Sequence, residues 1–254
     1  MKGLLVKQAK KVSPTSILEA AVELRFELET QISGGSLAIH LGKALDNFPE
    51  FNELPSASIP PALREQNEQL KYQATHRLSN GAYNISVGSS VLGISFVTND
   101  SSDYPGWASF YKNAKKILLV FEKIAAVRSY NRVGVRFVNS FDNNKSFVNG
   151  LEARLIHPFS DRVDLTESSI IGFLVKAEND TTCKVQIATG ANINTPGGLN
   201  NTLSLIDLDA SKNSSVSPED ARKAIEDCHA LDEEVFFSLI KDEYGNKVFK
   251  KIER

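Results

Sequence analysis

Two distant segments of the chain share one alternating pattern, and this repetition constrains the fold more than any other feature of the sequence. The segments are "AVELRFELE", Ala21 to Glu29, and "RVGVRFVNS", Arg132 to Ser140, and each places an arginine directly before a phenylalanine. In the first segment, apolar residues alternate with charged ones, which is the pattern of a strand with one buried face and one solvated face. We therefore predict two related strands, with Arg25 and Arg136 on their polar sides.

The elements that follow these two strands occur in the same order in each half of the chain. In the first half, the pattern predicts a helix over Leu37 to Phe48, an irregular linker from Pro49 to Pro61, strands at about Gln69 to Leu78, Ala82 to Val87 and Val91 to Thr98, and a long helix at about Tyr104 to Val127. In the second half, it predicts a less regular segment at about Lys145 to Thr166 that has room for a short helix, strands at about Ser168 to Glu178, Thr181 to Thr189 and Thr202 to Asp209, and a helix from Ser217.

This order predicts an α+β fold with an internal duplication. Residues 1–128 and 129–254 would form two pseudo-repeated halves, each with the order strand, helix, three strands, helix, within one integrated domain. We expect the halves to join into one curved antiparallel sheet that the long helices cover on one face.

Composition excludes several classes of partner and location. A net charge of -2 provides no overall field that would attract nucleic acid or an anionic membrane. No apolar run approaches the roughly 20 residues that a membrane-spanning helix needs, and the N-terminus has no signal-peptide pattern. We therefore expect a cytoplasmic protein, in which the two cysteines, Cys183 and Cys228, are buried and reduced.

No sequence motif for catalysis is present. The chain contains no nucleophile elbow and no phosphate-binding or dinucleotide-binding glycine loop. Its four histidines are scattered, and His229 and Cys228 are adjacent helix positions that face different ways. We expect no cofactor and favour a protein that is not an enzyme, but the question stays open because catalytic groups are recognised by geometry rather than by their order in the chain.

Two sets of residues are candidates for a site. If equivalent strand positions meet, Arg25 and Arg136 would hold a carboxylate or phosphate between two guanidiniums. The alternative is that each arginine pairs with a strand neighbour, such as Glu23 or Glu27 for Arg25. Asp207 and Asp209 alternate on one face of a strand and are weak candidates for metal ligands, with an exposed strand end as the alternative.

Three segments resemble an uncharacterised, sporadically distributed bacterial protein family. They are "SPTSILEAAVELRF", "YNRVGVRFVNSF" and "HALDEEVFFSLIKDEYGNKVF". Members of the family are similar in an N-terminal Glu-Ala-Val run, in an Arg-x-Gly-x-Arg-aromatic-x-Asn segment, here Arg132 to Asn139, and in a C-terminal helix that contains a histidine. The resemblance implies a bacterial cytosolic setting and no catalytic residue. Asn139 of this segment joins Arg25 and Arg136 as a candidate for binding a ligand or partner.

Three functions remain as hypotheses. The leading one is a non-catalytic binding or regulatory module that engages a partner protein, in an accessory bacterial locus of the toxin-antitoxin or phage-defence kind. The first alternative is a protein that binds a small anionic ligand between the sheet and the long helices, and the second is a metal-dependent phosphoryl transferase or nuclease that uses Asp207 and Asp209. Nucleic-acid binding is disfavoured because glutamates surround Arg25, whereas a homodimer is expected because open sheet edges favour pairing.

Overall fold

The computed structural model describes residues 12–13, 16–99, 102–152, 167–177, 179–194 and 200–251. Within them the predicted α+β class with an antiparallel sheet is confirmed. The strands are β1 (Val12–Ser13), β2 (Ile17–Leu28), β3 (Glu50–Glu53), β4 (His76–Asn80), β5 (Tyr83–Val87), β6 (Val91–Val97), β7 (Val127–Asp142), β8 (Ser169–Lys176), β9 (Thr181–Asn194), β10 (Asn200–Lys212) and β11 (Lys250–Lys251).

Helices precede and follow these strands. They are α1 (Gly34–Ala44), α2 (Pro61–Gln66), α3 (Glu68–Lys71), α4 (Trp107–Ala125), α5 (Lys145–Gly150), α6 (Ala221–Leu239) and α7 (Asp242–Val248), with one 3₁₀ turn at Pro55–Ser58. In the part of the chain that the structure describes, no helix is long and apolar enough to cross a membrane.

The main sheet has nine strands in the described residues, in the order β3-β4-β5-β6-β2-β7-β10-β9-β8. All its neighbouring pairs are antiparallel. The two strands with the Arg-Phe pattern, β2 and β7, are central neighbours, with Ala20 opposite Phe137 and Leu24 opposite Val133. Strands β1 and β11 form a separate antiparallel pair.

Some predicted elements differ from those of the structure. Gln69 lies in helix α3 rather than at the start of a strand, because the Asn67 side chain accepts a hydrogen bond from the Gln69 amide and caps this helix. The predicted linker contains β3, whose four residues are all exposed and therefore show no alternation. Helix α7 was not predicted. Helix α5 lies in the less regular segment predicted from Lys145, and the remainder of that segment, residues 153–166, falls outside the described residues.

Helices α4 and α6 each contact one of the two central strands. Phe26 of β2 meets Phe121 of α4 with ring centroids 5.0 Å apart. Cys228 of α6 donates a hydrogen bond from its Sγ to the carbonyl oxygen of Val133 on β7, at 3.5 Å. Both cysteines are buried and free, as predicted for their burial.

A carboxylic acid of helix α6 lies in this core. Asp232 is 1% exposed, and its Oδ1 accepts a hydrogen bond from the Cys183 thiol at 3.3 Å. Its Oδ2 has no hydrogen-bond partner among the described residues. Burial raises the pKa of Asp232 well above its ordinary value, because a buried carboxylate loses its solvation by water.

Replacing Asp232 should remove a pH-dependent loss of native stability. In the unfolded chain, Asp232 ionises above its ordinary pKa of 3.8, whereas the native carboxyl keeps its proton to higher pH, so its contribution to native stability falls as pH rises above 3.8. We expect the Tm of Asp232→Asn minus that of the wild type to increase from about pH 5 to about pH 8, measured by thermal melts. Glu234→Gln, at an exposed position of the same helix, is the control. A difference in Tm that does not change with pH would show that Asp232 ionises in the native protein.

His229 joins the two long helices through a ring stack. Its imidazole lies 3.9 Å from the ring of Trp107 on α4, centroid to centroid, with 10° between the planes. It also meets Phe137 of β7 edge-on at 5.7 Å. Burial lowers the pKa of His229 to about 4, so this histidine is neutral in the native protein at physiological pH.

Lowering the pH should therefore reduce the stability of the native protein through protonation of His229. In the unfolded chain this histidine takes up a proton near its ordinary pKa of 6.5, whereas the native imidazole does so only near 4. Its stabilising contribution is complete above pH 6.5 and is lost as pH falls toward 4. We expect His229→Phe, which keeps an uncharged ring against Trp107, to lose less Tm than the wild type over this range. The exposed control His40→Gln should follow the wild type, and parallel melting curves for all three proteins would contradict the assignment.

Candidate functional site

The side chains that point away from this core form a face of the sheet that we call the polar face. It carries a depression of about 400 Å³ across β6, β2, β7, β10 and β9. Four acids and four bases line it: Glu19, Glu23, Asp207 and Asp209, with Arg25, Arg132, Arg136 and Lys184. Their formal charges cancel, and the depression lies on the opposite side of the sheet from α4 and α6.

Arg132 is the central cation of the depression. Its Nη1 donates to Glu23 Oε1 on β2 at 2.9 Å, and its Nη2 donates to Asp209 Oδ1 on β10 at 2.5 Å. The Arg132 side chain is only 11% exposed, whereas the two acids are 38% and 34% exposed. One guanidinium on β7 therefore links both neighbouring strands by charge-assisted hydrogen bonds.

A glycine makes room for this guanidinium. Gly134 lies two positions after Arg132 on the same side of β7 and opposite Glu23 of β2. A Cβ atom at Gly134 would stand 2.8 Å from Cζ of Arg132. Glu23 also faces Gly93 on β6, which in turn faces Ser86 on β5. Because Gly134 and Gly93 have no side chain and Ser86 has a short one, the surface of the sheet is lower along this line, which accounts for the depression.

Arg136 forms the second ion-pair group. Its Nε and Nη2 each donate to one carboxylate oxygen of Asp207 at 2.8 Å, and its Nη1 lies 3.8 Å from Glu19 Oε2. The hydrogen bonds that Arg136 donates to Asp207 raise the pKa of Arg136, whose side chain is 46% exposed. The predicted pairing of this arginine with strand neighbours is what the geometry shows.

Arg25 and Arg136 do not meet across the two central strands. The register places Arg132 opposite Arg25 and Ala21 opposite Arg136, because antiparallel neighbours align the start of one strand with the end of the other. Arg25 instead donates from its Nε to Glu23 Oε1 at 3.0 Å and packs over the ring of Tyr72 at 4.6 Å. The expectation that these two equivalent strand positions meet is therefore wrong.

The third candidate, Asn139, lies on the apolar side of the sheet. It is 4% exposed, and its Oδ1 accepts a hydrogen bond from the Ser16 hydroxyl at 2.9 Å. It aligns with Ile206, which is fully buried. Strand alternation separates positions 136 and 139, so Asn139 cannot share a ligand on the polar face with Arg136.

The prediction that Asp207 and Asp209 share one face is confirmed. Each carboxylate is occupied by an arginine, Asp207 by Arg136 and Asp209 by Arg132. Across the described ranges there is no cluster of three or more histidine, cysteine or acidic residues that would hold a metal ion. Metal chemistry at these aspartates would require the arginines to leave first.

Arg132, Gly134 and Lys184 were not predicted as parts of this site, and Glu23 was predicted only as an alternative partner of Arg25. The signal for two of them was available, because Arg132, Gly134 and Arg136 alternate and must share the side of one strand. The acids and Lys184 come from other strands, and only the register brings them close. No protein-family model matches the chain, and no curated protein matches it either. The arrangement provides a charge-balanced, pre-positioned set of hydrogen-bonding groups.

Proposed function

We propose that the chain is a non-catalytic binding module that engages a partner protein through the polar face of its sheet. The observation that carries this proposal is the depression of about 400 Å³ whose charged lining comes from both halves of the chain. Ion pairs fix these side chains in place, which lowers the entropy that binding would otherwise cost.

The proposal includes an internal duplication. The two halves would be 1–128 and 129–254, joined at the central pair β2 and β7. The strand order supports this division, since β6, β5 and β4 continue the sheet on one side and β10, β9 and β8 on the other. In this arrangement α4 and α6 are equivalent helices that cover the apolar face, and the polar face is left for binding.

A protein partner fits the charges better than a small anion does. All three arginines of the depression already donate to carboxylates of this chain. At the arginines, a single carboxylate or phosphate would have to displace one of these acids and leave it uncompensated. A protein surface brings charges of both signs and can complement the array without breaking it.

The cellular setting follows from the family resemblance. A sporadically distributed bacterial family is typical of accessory loci, including those of toxin-antitoxin and phage-defence systems. In such a locus, this chain would be the regulatory or neutralising partner, acting by binding rather than by catalysis.

Filling the depression tests the proposal. Ala21 lies between Ser95 and Arg136 in the register, and Ala21→Trp places a large ring there without removing any ion pair. We expect the tagged wild type to retain a stoichiometric protein from cells of its native host, and Ala21→Trp to lose that protein, both measured by mass spectrometry of the eluate.

Leu119→Trp, at an exposed position on α4, is the matched control and should retain the partner. Recovery of the wild-type chain alone, or retention of the same protein by Ala21→Trp, would contradict the proposal. Nucleic acid or a small molecule in the wild-type eluate, in place of a protein, would favour one of the alternative functions.

A further inference from the structure

Two exposed aliphatic side chains lie at the β8 end of the polar face. Ile170 is 75% exposed and Leu174 is 54% exposed. The alternate residues of the same strand, Ile171, Phe173 and Val175, pack against the core. Alternation therefore places Ile170 and Leu174 on the polar face.

The position between these two side chains is a glycine. Gly172 faces Gln186, which also lines the depression. Among the described residues, a Cβ atom at Gly172 would meet only the carbonyl oxygen of Val185, at 3.7 Å, so these residues leave the space above the glycine open. Ile170 and Leu174 are four residues apart, or about 13 Å along a strand, and form the two walls of a shallow trough over Gly172.

Two lysines adjoin this trough. Lys184 lies directly opposite Leu174, and Lys176 is the last residue of β8. Both are exposed, and neither has an ion-pair partner among the residues that the structure describes. They differ in this respect from the arginines of the depression, all of which are paired, so their positive charge remains available to a partner.

We propose that this trough binds an acidic, amphipathic segment of the partner protein. An apolar side chain of the segment would lie over Gly172, between Ile170 and Leu174. Its carboxylates would meet Lys184 and Lys176. This inference rests on the proposed function and specifies the chemistry of the partner at one end of the same face.

The patch suits a peptide better than a nucleic acid. Burial of an apolar side chain against the exposed Ile170 and Leu174 is favourable. The phosphate backbone of a nucleic acid has no such side chain. A single-strand binding groove would instead carry a cationic track with aromatic side chains for stacking. The side chains of this patch are two aliphatics, one amide and two ammonium groups, with no aromatic ring.

The test uses synthetic fluorescent peptides as probes. One peptide alternates aspartate or glutamate with leucine and phenylalanine, a second has lysine at every acidic position, and a third has serine at every apolar position. We expect the full-length chain to bind the first peptide in a fluorescence-polarisation titration and to bind the other two at least about tenfold more weakly. Leu174→Asp and Lys184→Glu should each weaken binding of the first peptide by at least about tenfold.

Helix α4 provides the matched controls, since it also has an exposed leucine and an exposed lysine. Leu119→Asp and Lys115→Glu should leave the affinity unchanged. Equal binding of the acidic and basic peptides, no binding below about 1 mM, or binding unaffected by Leu174→Asp would overturn the inference. If Leu174→Asp also keeps the native partner while Ala21→Trp loses it, the inference alone fails; if Ala21→Trp keeps the partner, the proposed function itself fails.

Discussion

Arg132→Ala should lower the free energy of unfolding by about 2–3 kcal/mol, which is less than the 3–5 kcal/mol typical of breaking a fully buried pair. The reason is that the guanidinium bridges Glu23 and Asp209 across three central strands while its own side chain is 11% exposed. Its removal takes from Asp209 the arginine with which it pairs and leaves Glu23 with Arg25 alone, and water reaches each carboxylate only in part. Urea denaturation of both proteins measures the difference.

Arg25→Ala is the matched control on the neighbouring strand. Arg25 also donates to Glu23, but its side chain is 36% exposed and it pairs with no second acid among the residues that the structure describes. We expect its replacement to cost about 0–1 kcal/mol, as for an ordinary surface pair. Equal costs for the two arginines would show that the bridge to Asp209 adds nothing to stability.

A double-mutant cycle tests the reason for Gly134. Gly134→Ala places a Cβ atom 2.8 Å from Arg132 Cζ, so it should destabilise the wild type. In the Arg132→Ala background this clash is absent, and alanine should be neutral or stabilising because glycine costs a strand roughly 0.5–1 kcal/mol. Additive effects in the cycle would mean that the glycine serves another purpose.

Phe26→Ala should cost the most, at about 3–5 kcal/mol of unfolding free energy. Phe26 is 2% exposed on the central strand β2, and its ring packs against Phe121 of α4 at 5.0 Å. Truncation would leave a cavity between the sheet and this helix that neighbouring side chains refill only in part. Because a typical domain is stable by only about 5–15 kcal/mol, the variant should unfold at a much lower urea concentration.

Glu29→Ala provides the control for Phe26→Ala. Glu29 lies three positions further along the chain and is exposed, so its replacement should change stability by less than about 0.5 kcal/mol. A loss below about 1 kcal/mol for Phe26→Ala would contradict the packing of β2 against α4.

The sequence predicted the elements with a strong period best. Apolar residues alternate along strand β2 and recur at three- and four-residue steps along helices α4 and α6. All three elements form near their predicted positions. Strand β3 and helix α7 were missed because neither has a buried residue, so burial imposes no pattern on them. Helix α3 is capped by the hydrogen bond from the Gln69 amide to Asn67. This local signal is weaker than the strand-like pattern from which a strand was predicted there.

The candidate site was less predictable than the fold. Alternation correctly put Arg25, Arg136, Asp207 and Asp209 on polar sides of strands, because each side chain's face depends only on its own strand. Which of these groups bond to one another depends on how the strands align. The prediction that joined Arg25 to Arg136 assumed that equivalent positions meet, whereas the antiparallel register brings Arg132 to Arg25.

The sequence by itself determined the alternating strands, the amphipathic helices, the burial of the two cysteines and the balance of charges. These properties are local, because they follow from the period of apolar residues along one element. Only the tertiary structure decided the strand order, the bridge from Arg132 to Glu23 and Asp209, the burial of Asp232 and the lysines left unpaired beside Leu174. The physical reason is that each of these features depends on the register between strands or on packing between a helix and the sheet, and residues far apart in the chain set both.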